Sequence, residues 1–172
     1  RMYNTGQVCC ASKRFLVHED VVEEFTKKAV EKIGKLKRGM PADDDTQIGC
    51  LISEKAAIEV ERQVNLTVEQ GGKVILGGER DGAFYAPTVI VDVPKTADVA
   101  KDMEIFGPVV PIVTISSEEE AVEIANASMF GLCGCVFSAD QKTCARVACA
   151  LECGGAIING ASFYRSFEMP FG

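Results

Sequence analysis

With 172 residues, a net charge of −7 from 18 basic and 25 acidic side chains, and a 47% hydrophobic composition, the chain has the length of one domain with one core. Lys35-Leu36-Lys37-Arg38 is its one basic cluster, which excludes a nucleic-acid or anionic-membrane footprint, and no apolar run nears the roughly 20 residues that cross a bilayer. The eight cysteines are interleaved with Ala, Val and Leu, and Cys133-x-Cys135 with a single histidine makes no zinc site, so a soluble, cytoplasmic protein with reduced thiols and no metal is expected.

The chain opens on Asn4-Thr5-Gly6-Gln7-Val8-Cys9-Cys10-Ala11-Ser12-Lys13-Arg14, where adjacent cysteines stand between a Gly-Gln pair and a basic, strand-like run. A nucleophilic cysteine acts as the thiolate and needs solvent access with positive charge or N–H donors nearby, for which Lys13 and Arg14 are candidates. The alternative is two small hydrophobes packed under a strand. Residues 14–17 predict that strand. Asp20-x-x-Glu23 predicts a capping box opening a helix with Val22, Phe25, Ala29, Ile33 and Leu36 inward, ended by Gly39 and Pro41. His18 reads as a surface residue. The carboxylates of residues 43–45 lack the spacing of a calcium loop and read as a solvated turn. Ser53 caps a second helix with a buried stripe of Ala57, Val60, Val64 and Val68, stopped by Gly71-Gly72. A strand at 73–76, a glycine-rich hairpin connection at 77–82 and a β-branched strand at 88–93 follow.

Residues 99–103 predict a short helical turn that delivers Glu104 onto a Phe106-Gly107-Pro108 bend, followed by a strand at 109–115. Pro111 removes a ladder donor and points to an edge or a bulge. Ser117-x-x-Glu120 is a second capping box, residues 130–137 predict a buried strand, and Asp140 caps a last helix with Cys144, Val147, Ala148 and Leu151 inward. The strand 156–158 then places Asn159 at its C-terminal end. Strands alternating with helices predict an α/β fold: three layers, a mostly parallel twisted sheet with helices on both faces, and functional residues at the C-terminal strand ends.

Three motifs carry a family resemblance. Asn4-x-Gly6-Gln7-x-Cys9, continued by Ala11-Ser12-Lys13-Arg14, resembles the active-site segment of the NAD(P)-dependent aldehyde dehydrogenase superfamily, whose catalytic cysteine stands two residues after the Gly-Gln pair. Glu104-Ile105-Phe106-Gly107-Pro108-Val109, 95 residues on (104 − 9), resembles the family's glutamate-x-Phe-Gly-Pro element. Asn159 with Met169-Pro170-Phe171-Gly172 resembles the substrate-pocket loop and the start of the Pro-Phe-Gly-Gly element.

The resemblance implies a Rossmann-like catalytic domain over residues 1–172 that oxidises a small-molecule aldehyde with NAD or NADP. It implies Cys9 as nucleophile, Glu104 and Phe106 against the nicotinamide ribose and ring, and Val8, Cys10, Asn159 and Phe171 around the substrate. In the family the dinucleotide-binding half, the general-base glutamate and the oxyanion asparagine all precede the cysteine, and a tail pairs subunits. The chain is therefore expected to be a catalytic fragment of a homodimeric or homotetrameric parent, with negligible turnover alone. Two further readings stay open: a coenzyme A-acylating relative, which passes the thioester to a thiol, and a noncatalytic α/β interaction module.

Overall fold

The computed structural model describes residues 1–164, 166–168 and 171. A four-stranded sheet runs in the order β1-β6-β5-β2, built from β1 (Phe15–His18), β2 (Lys73–Leu76), β5 (Thr88–Val91) and β6 (Val109–Ile115). β6 pairs in parallel with both β1 and β5, and β2 closes the far side antiparallel to β5. A short hairpin, β3 (Arg80–Asp81) with β4 (Phe84–Tyr85), precedes β5.

β6 is apolar at almost every position because both of its faces are covered. Side chains alternate across a strand, so Val110 and Ile112 join Val17 and Val89 on one face, beneath Phe25, Val30 and Ile33 of helix α1 (Val22–Gly34). Val109 and Val113 join Ile90 on the other face, against Ala57, Val60 and Val64 of helix α2 (Glu54–Glu69). Helix, sheet, helix is the expected three-layer α/β arrangement. Helices α3 (Glu118–Asn126) and α4 (Gln141–Ala150) follow, the latter packed on a separate parallel pair, β7 (Gly134–Val136) with β8 (Ala156–Ile158). No helix among the described residues is long and apolar enough to cross a membrane.

Pro111 does not lie on an edge strand, because β6 is interior. The carbonyls of Pro108 and Ile112 accept from Thr88 and Val93 on the β5 side, so by alternation the nitrogen of residue 111 faces β1. The β1 ladder begins one residue later, at Phe15 opposite Ile112, and the missing N–H costs no pair.

Three predicted caps form: Ser53 accepts the Ala56 N–H, Ser117 that of Glu120, and Asp140 those of Lys142 and Thr143. Asp20 does not cap α1. Its own N–H goes to His18 Nδ1 at 3.3 Å, its carboxylate lies 3.4 Å from that nitrogen, and α1 begins after an uncapping Val21. α1 also stops at Gly34, well before Gly39, because Lys37 is drawn away: its N–H goes to the Gln47 side chain and its carbonyl accepts from Gln47 and Ile48. Thr67, not Val68, completes the buried stripe of α2; its hydroxyl donates to the Gln63 carbonyl at 2.8 Å, which removes the penalty of burial. The 130–137 strand is only three residues long and half-buried, with Phe130 and Phe137 exposed at either side.

Candidate active site around Cys9

The two glycine motifs, 95 residues apart in sequence (104 − 9), are pressed together in space. Gly6 sits in the left-handed region at φ +76°, and a Cβ there would lie 2.2 Å from the Gly107 carbonyl oxygen. Gly107 is itself backed by Val60 of α2, whose methyl a Cβ would meet at 2.7 Å. Three chain segments thus stack with no side chain between the first two. Both motifs immediately precede a strand, β1 or β6, and these run parallel, so the site gathers at the N-terminal ends of the strands. The expected location, the C-terminal ends, holds only Asn159, which follows β8.

The polar residues of the first motif shape the turn. Asn4 and Thr5 are also left-handed (φ 48° and 56°) and are held there from outside. The Asn4 side chain donates to the Gln7 carbonyl (3.3 Å), the Gln7 side chain donates to the Asn4 carbonyl (3.1 Å), and Gln7 Oε1 accepts from the Ile52 N–H (2.8 Å). Thr5 is buried, and its hydroxyl oxygen accepts from the Gly49 N–H at 3.1 Å. A turn closed by the Ala11 N–H on the Val8 carbonyl (3.0 Å) then carries Cys9 and Cys10.

Cys9 is exposed and Cys10 buried, their sulfurs 3.9 Å apart. The Cys10 carbonyl accepts from Ser162 and, at 3.9 Å, from the Cys133 thiol. Burial, with neighbouring Cys10, Cys135 and Cys153, pushes the Cys133 thiol up to about 11, an unreactive thiol near neutrality.

Lys13 and Arg14, the two candidate charges, separate. Arg14 turns inward and donates to the carbonyls of Ala100, Ile124 and Ala125 at 2.9–3.1 Å, which ties the start of β1 to α3. Lys13 stays at the site. Its ammonium donates to the Val8 (2.6 Å) and Ala11 (3.0 Å) carbonyls, pairs with Glu104 (3.2 Å) and stands 5.0 Å from the centre of the Phe106 ring. Burial, and then the nearby Arg1 charge, lower its pKa, against the opposing pull of Glu104. Glu104 and Phe106 both keep an open face, 37% and 42% exposed.

Arg1 carries no sequence signal, yet it clasps the whole junction. Its guanidinium donates to the carbonyls of Val109 (2.7 Å), Gly107 (2.6 Å), Ile105 and, at 3.4 Å, Gly6. Burial lowers its pKa to about 10, which leaves it cationic at neutral pH. Partners more than 100 residues away in the chain are invisible to any local pattern.

The remaining candidates stand apart from this cluster or at its border. Val8 is half-buried and contributes its carbonyl to Lys13. Asn159 caps the β7–β8 pair, its side chain accepting from the Ser138 N–H and donating to the Ser138 carbonyl, each at 3.0 Å. Phe171 is exposed, whereas Met169, Pro170 and Gly172 of the same motif lie outside the described residues. Among the described residues no group of three or more His, Cys, Asp or Glu side chains could hold a metal ion.

A family model for the aldehyde dehydrogenase family matches residues 1–172. The chain belongs to the aldehyde dehydrogenase family. A lactaldehyde dehydrogenase from Methanococcus aeolicus is 42% identical over the whole of this chain, which spans 37% of that protein. Among solved structures, aldehyde dehydrogenase 21 from Physcomitrella patens, in complex with its reaction product succinate, superposes with a TM-score of 0.93 at 40% identity, over 99% of this chain and 35% of the other. A glyceraldehyde-3-phosphate dehydrogenase from Methanocaldococcus jannaschii, complexed with NADP, gives 0.92 at 38% identity, over 98% of this chain and 36% of the other. Chemically, this member of the family brings an exposed thiol, a half-buried ammonium, and a carboxylate and aromatic face together on one strand-end surface.

Proposed function

We propose that residues 1–172 form the cysteine-bearing catalytic part of an NAD(P)-dependent aldehyde dehydrogenase, with Cys9 as its nucleophile. The observation that supports this is the junction at Gly6 and Gly107, which presses the segment carrying the exposed Cys9 against the segment carrying Glu104 and Phe106, with Lys13 contacting both. The Cys9 thiolate adds to the aldehyde carbon to give a thiohemiacetal, and loss of hydride from that carbon leaves a thioester on Cys9. A nicotinamide dinucleotide, when bound, supplies the hydride acceptor.

Glu104 and Phe106 fit such a group: an open carboxylate accepts two ribose hydroxyl hydrogen bonds at once, and an exposed ring face packs against a nicotinamide. Val8 and Cys10, the chain neighbours of the nucleophile, and Asn159 and Phe171 are the residues we assign to the substrate pocket. The oxyanion asparagine, the base that hydrolyses the thioester and the dinucleotide-binding domain belong to the rest of the enzyme, in keeping with the 37% share of its relative that this chain spans. A thiolate nucleophile suits the reducing cytoplasm.

The whole enzyme, given an aldehyde and NAD or NADP, is expected to accumulate reduced cofactor at 340 nm, and the 172-residue chain alone to show negligible turnover. Sustained cofactor reduction by the isolated chain would contradict this division of labour.

A further inference from the structure

Lys13 touches both motifs at once. Its ammonium holds the carbonyls before and after the cysteine pair, at Val8 and Ala11, and from the same position holds the Glu104 carboxylate and faces Phe106. Its side chain is only 17% exposed, so these partners are what satisfies it. We propose that Lys13 is a positioning residue that couples the Cys9 turn to the cofactor motif, and that Glu104 exchanges Lys13 for ribose hydroxyls when a nicotinamide dinucleotide binds.

This rests on Cys9 being the nucleophile and Glu104 the ribose contact. A carboxylate 3.2 Å from the ammonium neutralises much of its charge. Ribose hydroxyls that take the carboxylate leave the ammonium with the two carbonyls of the Cys9 turn, and its charge then acts on the thiolate. One side chain thereby links an occupied cofactor motif to a readier nucleophile. Nothing in this requires the backbone to move, since the Gly6–Gly107 contact fixes the distance between the two segments.

Glu104→Gln mimics the withdrawn carboxylate and allows a test without cofactor or turnover. The rate of Cys9 carbamidomethylation by iodoacetamide is read by peptide mass spectrometry in the 172-residue chain at one neutral pH. Lys13→Met is expected to slow Cys9 about threefold and Glu104→Gln to speed it about threefold, sizes suited to a partly exposed charge pair. The double variant should match Lys13→Met alone, because Glu104 acts only through Lys13. Lys13→Arg should stay within about twofold of the parent rate, since it keeps the charge.

A merely structural lysine would instead loosen the turn, so that buried Cys10 becomes labelled along with Cys9 and both single variants move the rate in the same direction. That pattern, or an unchanged rate in Lys13→Met, overturns the proposal while leaving a reactive Cys9 standing. A Cys9 inert in the parent chain overturns the nucleophile assignment itself and the role of Lys13 with it.

Discussion

Gly6→Ala is expected to lower the thermal midpoint by about 10 °C, the consequence of roughly 3 kcal/mol lost in a domain of this size. Two costs add. Alanine at φ +76° is strained by about 1–2 kcal/mol, and its Cβ would lie 2.2 Å from the Gly107 oxygen and 2.4 Å from its carbon. Gly107 cannot step back, because Val60 stands behind it and Arg1 grips its carbonyl. Gly155→Ala is the control: a Cβ there meets nothing within 4 Å, and φ is not left-handed, so the midpoint should move by no more than a degree or two. Scanning calorimetry of the two variants against the parent chain measures the difference. Equal midpoints for Gly6→Ala and the parent would mean that the two motifs are not in contact.

Cys9→Ser is expected to reduce aldehyde oxidation by the whole enzyme at least about a thousandfold while leaving stability within about 0.5 kcal/mol. A serine hydroxyl is a far weaker nucleophile than a thiolate at neutral pH, and the turn offers it no general base. Stability is spared because Cys9 is exposed and its sulfur meets the Cys10 sulfur only at 3.9 Å. Cys10→Ser should behave in the opposite way. Its side chain is buried, so a hydroxyl there costs about 1–3 kcal/mol, yet the nucleophile remains and turnover persists. Paired measurements of kcat and thermal midpoint on the two variants separate nucleophile from neighbour.

Much of the scaffold was legible because its signals are local. Ser53, Ser117 and Asp140 each meet N–H groups two or three residues away, and the continuous apolar run of β6 announces a strand covered on both faces. Misreadings arose where a group was engaged by something other than the element its local pattern pointed to. Asp20 is engaged by His18 rather than by the helix it precedes, Lys37 leaves α1 for Gln47 and Ile48, and Pro111 is tolerated in an interior strand because the β1 ladder starts one residue later.

The site divides in the same way. Cys9, Glu104 and Phe106 were named from motifs alone, and Lys13 contacts the turn that carries Cys9 as well as Glu104 and Phe106. What held them together was not legible: Arg1 and the Gly6–Gly107 contact join residues about 100 positions apart, and no periodicity records such a pairing. The rule that sites gather at C-terminal strand ends also misled, because here both motifs are loops that enter parallel strands.

The central claim is that Cys9 is the reactive thiol of this chain, and limited alkylation tests it most directly. Substoichiometric iodoacetamide at neutral pH, followed by peptide mass spectrometry, should place the first adduct on Cys9 ahead of Cys50, exposed Cys149 and the half-buried Cys133, Cys135 and Cys153. Adducts on Cys149 at a rate equal to or above that of Cys9 would contradict it, since exposure alone would then account for the labelling and the motif would contribute nothing.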